Sequence, residues 1–89
     1  MTARKLYITG KVQGVWYRAS TRNKAKELGL NGIIRNEPDG SVYAEVEGPI
    51  EMVNQLIEWC KEGPPHAKVT SVLVEEIDIQ SRIGFQIER

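Results

Sequence analysis

Leu6, Ile8 and Val12 alternate with Lys5, Tyr7, Thr9 and Lys11, a period of two that predicts a half-buried strand over about residues 4–12. Helical spacing takes over beyond it. Tyr17, Thr21, Ala25 and Leu28 recur on one face, and Gly29 stands where a left-handed residue ends a helix, so a helix is expected from near Tyr17. Residues 32–36 read as a short strand, Glu37-Pro38-Asp39-Gly40 as a turn, and Val42, Ala44 and Val46 as the inward positions of an antiparallel partner. Gly48-Pro49 opens a second helix with proline expected at its first position, and Val53, Leu56, Ile57 and Cys60 form its apolar stripe. Lys61, Gly63 and Pro64-Pro65 end it. From Ala67 to Ile77 the chain is β-branched, but the inward phase shifts between Val69 and the pair Val72 and Val74, which predicts a bulge near Thr70 and Ser71. Ile83, Phe85 and Ile87 alternate as a last short strand.

The order β-α-β-β-α-β-β, with two crossover helices and one hairpin, predicts an α+β, ferredoxin-like βαββαβ sandwich. In it an antiparallel sheet carries both helices on one face and gains an extra short C-terminal strand. At 89 residues the chain is expected to form one domain, 1–89, with a modest core. Many unrelated functions use this arrangement, so activity has to be read from particular residues.

Cys60 is the only cysteine, which rules out an internal disulfide framework and suits a reducing, cytoplasmic setting. No apolar run approaches the roughly 18 residues that span a bilayer, and no secretory leader follows the basic start, so a soluble protein without a membrane partner is expected. Net charge is zero, yet residues 1–36 hold eight of the twelve basic residues and one acid, Glu27. Such a division predicts a positive field over the first third of the chain, attractive to anionic substrates or nucleic acid.

Within that basic third, Gly10-Lys11-Val12-Gln13-Gly14-Val15-Trp16-Tyr17-Arg18 joins a strand to a helix through a glycine-containing loop and ends on an arginine. Glycines let backbone approach a ligand, and the first amides of a helix lack intrahelical acceptors, so this segment suits a small oxyanion. With one histidine, His66, and one cysteine, no zinc site and no Cys-His or Ser-His-Asp nucleophile can be assembled. Cys60 reads as a buried structural thiol, His66 as a solvated loop residue, Trp16 and Trp59 as packing residues, and Tyr17 as core. The pattern G-x-x-x-x-G-K-[ST] is absent as well. An anion cradle without nucleophile, acid or cofactor can catalyse only reactions with a good leaving group. An acyl phosphate has one, because it expels a carboxylate, and what remains is to place water in line and to stabilise charge. Asn36, at the end of the second strand, is a candidate for holding the water.

Two segments, residues 10–18 and Gly32-Ile33-Ile34-Arg35-Asn36-Glu37-Pro38-Asp39-Gly40-Ser41-Val42, resemble those of the acylphosphatase family, and the likeness runs on through Gly48 and Gly63-Pro64-Pro65 to Phe85-Gln86-Ile87. The resemblance implies hydrolysis of the carboxyl-phosphate bond of small-molecule acyl phosphates to carboxylate and inorganic phosphate, with no metal and no cofactor. Arg18 would correspond to the phosphate-binding arginine and Asn36 to the water-positioning asparagine. The amides of Gln13, Gly14, Val15, Trp16, Tyr17 and Arg18 would form the cradle. The sequence departs from the family pattern at Ile33, where an aromatic residue is frequent, and at Trp16-Tyr17, where phenylalanines are; both bear on acyl preference. A monomer is expected.

The rival is a phosphate- or RNA-binding module without turnover, since Tyr7 and Tyr43 sit on the outer phase of strands that should be central. Glu45 and Glu47 share that face and would repel a phosphate backbone, so no nucleic acid partner is expected. A carbamoyl-phosphate-binding part of a larger maturation enzyme is a further alternative; the chain ends at Arg89 with no companion domain.

Overall fold

The computed structural model describes residues 1–88. The elements are β1 (Thr2–Lys11), α1 (Tyr17–Glu27), β2 (Asn31–Asn36), β3 (Val42–Gly48), α2 (Ile50–Glu62), β4 (Lys68–Glu76) and β5 (Phe85–Ile87). The strands form one five-stranded sheet in the order β4-β1-β3-β2-β5. Pairings β1–β3, β1–β4 and β2–β3 are antiparallel, and the short β5 joins β2 in parallel, so the predicted antiparallel sheet is mixed at that edge.

Register follows from the period of two. Leu6, Ala44 and Ile34 oppose one another across the three central strands and are fully buried, and Ile8, Val42 and Asn36 form the next row. These residues share the face covered by the helices, where Val53, Leu56, Ile57 and Cys60 of α2 join them in the core. α1 contributes Tyr17, Thr21 and Ala25, buried at four-residue steps. Both buried hydroxyls of α1 are satisfied, since Thr21 Oγ1 donates to the Tyr17 carbonyl at 2.8 Å and Tyr17 Oη donates to the Cys60 carbonyl at 2.7 Å.

Several expectations shift. Pro49 caps α2 rather than occupying its first turn, and its fixed φ of −59° suits either place. Val74 is 38% exposed and Ile83 is 91% exposed. β4 is an edge strand that α2 only partly covers, and the last strand begins at Phe85. Residues 77–84 instead cross the open face of the sheet. The carboxylate of Glu47, buried there, accepts the amides of Gln80 at 2.7 Å and Arg82 at 2.5 Å, while Arg82 pairs with Glu45 at 3.1 Å. Part of the basic charge of the first third is paired, because antiparallel pairing sets Arg4 against Glu76 and Lys5 against Glu75, and Arg35 meets Glu37 and Glu88.

The bulge lies where the phase shift predicts it. Thr9 opposes Ser71 and Gly10 opposes Val69, which leaves Thr70 as the extra residue. Gly10 has φ +123° there, and a Cβ on it would lie 2.7 Å from the Thr70 amide nitrogen and would clash with the Lys68 carbonyl oxygen. Gly10→Ala should therefore combine backbone strain with overpacking and destabilise the fold by roughly 2–4 kcal/mol. Urea unfolding checks this, and a midpoint equal to that of the parent would contradict it.

Candidate active site

β1 and β2 each run antiparallel to β3 and hence parallel to each other, so the loop leaving β1 and the turn leaving β2 lie at the same end of the sheet. α1 starts at that end and runs back over the sheet, packing on β2 and β5. Val12 and Val15 anchor the connecting loop in the core. Between and beyond them, Gly14 at φ +72° and Trp16 at φ +63° adopt left-handed backbone. For Gly14 this is unstrained, but for a bulky L-residue it is an outlier that costs on the order of 1–3 kcal/mol.

The alternation turns successive N–H groups to one side, as in a backbone nest for anions. Among the described residues, none of the amides from Gln13 to Arg18 donates a hydrogen bond to another protein group, and Trp16 provides no side-chain cap for α1. Six donors are thus left at the positive end of a helix. Arg18, in the first turn, lines the adjoining cleft together with Val12, Gly14, Trp16, Tyr17, Ala19 and Ile87, and among the described residues it takes no acidic partner.

Asn36 sits on the helix-covered face of β2, two residues beyond the buried Ile34 and opposite Val42. It does not line the Arg18 cleft itself. Among the described residues neither end of its side-chain amide is hydrogen-bonded to protein, and Oδ1 is enclosed without a partner.

Gln13 ties the two halves together. Its Nε2 donates to the carbonyls of Glu37 and Ser41, both at 2.9 Å, so the loop after β1 is clamped to the turn after β2. Within that turn Glu37 N donates to the Ser41 carbonyl, and Asp39 accepts from both the Ser41 hydroxyl and amide, which holds its carboxyl below the ordinary 3.8. Sequence reasoning assigned Gln13 only a backbone role; the one hint of this clamp was a long amide side chain beside a loop glycine. It also missed the left-handed Trp16 and took its indole for a packing group, whereas the residue is 78% exposed. Trp59 does pack, against Tyr17 at a ring separation of 6.1 Å.

On the other face of the sheet the two outward tyrosines engage their neighbours. Tyr43 is 8% exposed, with Arg35 over its ring at 4.5 Å and Tyr7 tilted against it at 5.2 Å, and its hydroxyl donates to Glu45 at 2.6 Å. Among the described residues no helix is long and apolar enough to cross a membrane.

The family model for acylphosphatase matches residues 4–87. The acylphosphatase of Acaryochloris marina is 53% identical over 85 residues, 96% of this chain and 91% of that one. That of Rubrobacter xylanophilus is 53% identical over 72 residues, covering 81% of this chain and 66% of the relative. The crystal structure of acylphosphatase from Bacillus subtilis superposes with a TM-score of 0.97 at 31% identity, over the whole of both chains. With its fold and nearly its whole length matched in this way, the chain belongs to the acylphosphatase family of acyl phosphate hydrolases.

Proposed function

We propose that Arg18 and the amides from Gln13 through Arg18 bind the phosphoryl group of a small-molecule acyl phosphate, and that the side-chain amide of Asn36 holds the water that attacks it. What supports the reading is the set of unpaired donors on a loop whose shape Gln13 fixes from outside, so that no rearrangement is needed when negative charge arrives. The guanidinium of Arg18 can meet two equatorial oxygens at once, and the amides the rest.

Water adds its oxygen to phosphorus while the bond from phosphorus to the acyl oxygen breaks. The electron pair leaves on that oxygen as carboxylate, and the water proton passes to a phosphoryl oxygen of the substrate. A carboxylate has a conjugate acid of pKa about 4, so departure needs no general acid, and none is assigned. The catalytic work is then positioning and charge stabilisation. A cytoplasmic, monomeric enzyme fits this reading; burial pushes the pKa of its lone thiol, Cys60, up to about 12, which makes that group inert.

Three outcomes are expected. Arg18→Ala should lower turnover of benzoyl phosphate by about 100-fold or more and weaken competitive inhibition by inorganic phosphate in parallel. Unaltered hydrolysis would remove Arg18 from the phosphoryl site. Asn36→Ala should lower kcat by about 100-fold with little change in phosphate affinity. Because it also deletes an acceptor with no protein partner, thermal stability should hold or rise; a fall in stability equal to that of an ordinary core truncation would point to a structural role instead. Hydrolysis should proceed undiminished in EDTA, since His66 and Cys60 are the only residues of their kinds; activity lost to the chelator and restored by a divalent cation would contradict this.

A further inference from the structure

We propose that Trp16 and Ile87 form a platform for the acyl group, so that the enzyme favours acyl phosphates with an aromatic or extended apolar acyl group over small ones such as acetyl phosphate. The inference rests on the reading of Arg18 and the loop as the phosphoryl site. Trp16 and Tyr17 are neighbours with opposite fates: Tyr17 is 1% exposed in the core and Trp16 is 78% exposed. Left-handed backbone at Trp16, set between Gly14 and the first turn of α1, turns the indole outward. The same conformation that aims its amide into the nest thus prevents the ring from folding down onto the core.

The cleft beside the nest has a volume of about 440 Å³, enough for a small aromatic acid. Among the described residues Arg18 is the only charged one in its lining; Val12, Ala19, Ile87 and Trp16 supply the rest of the wall along with Gly14 and Tyr17. A phosphoryl group held at the Arg18 end leaves the carbonyl and its substituent to run along that apolar wall. An aromatic acyl group covers the indole and the Ile87 side chain and removes both from water, whereas an acetyl group leaves them wet.

The ratio of kcat/KM for benzoyl phosphate to that for acetyl phosphate tests the proposal. Trp16→Gly, which tolerates positive φ, should reduce this ratio on the order of tenfold, and Ile87→Ala by a few-fold. In the parent protein, the ring protons of phenylphosphonate should show nuclear Overhauser contacts to the Trp16 indole and the Ile87 methyl groups, a readout independent of how any variant folds. Displacement of phenylphosphonate by inorganic phosphate reports separately on the phosphoryl site and should persist in Ile87→Ala. A ratio unchanged in Trp16→Gly, or saturating phenylphosphonate without contacts to either side chain, overturns the platform while leaving the phosphoryl site standing. Phenylphosphonate that phosphate fails to displace from the parent protein overturns both.

Discussion

Two hydrogen bonds from one side chain clamp the loop after β1 to the turn after β2. The donors are the two protons of the Gln13 amide, and the acceptors are carbonyls that lie beyond the end of a different strand. Remove that bridge and the loop after β1 is tied down only by the burial of Val12 and Val15, with two left-handed residues and no internal amide bonds to hold its curve. A loop of that kind normally relaxes by turning its N–H groups toward its own carbonyls. Holding them outward keeps them ready for a ligand, and the cost is met by packing elsewhere in the fold.

That division between a stiff scaffold and a deliberately unsatisfied end recurs at Asn36. The strands beneath it pair in regular register, with Leu6, Ala44 and Ile34 fully buried one row away. At the next row Ile8 and Val42 are still apolar and buried, but on β2 a polar amide with no protein hydrogen bond among the described residues takes the inward position. Close packing up to the last row gives the amide a fixed direction, because its backbone is set by β3 on one side and by the clamped turn on the other.

Much of this was legible in the chain. The alternation in residues 4–12 and the phase shift around Thr70 identified both the strand and its bulge, because a period of two is a direct imprint of a sheet with one buried face. Arg18 and Asn36 stood out by their places beside glycines and strand ends, and the loop and the turn that adjoin them lie at one end of the sheet. Trp16 was not, since side-chain size argues for burial and nothing in residue type announces a positive φ. The Gln13 clamp and the crossing of residues 77–84 over Glu47 escaped for another reason: both are contacts between segments far apart in sequence, and no local period encodes them. Nor did the charge division of the chain show that strand pairing sets Arg4 and Lys5 of its basic third against Glu76 and Glu75.

The bulge at Thr70 sits in β4, at the outer edge of the sheet, where Leu73 and Val74 are largely open to water. A long, flat, apolar border of that sort is an invitation for a second copy to add its own strand. The extra residue breaks the even spacing of outward-facing amides and carbonyls, and Glu75, Glu76 and Lys68 place charges on either side of the apolar stretch. The irregularity at which Gly10 meets β4 thereby also interrupts the border that an added strand would have to match.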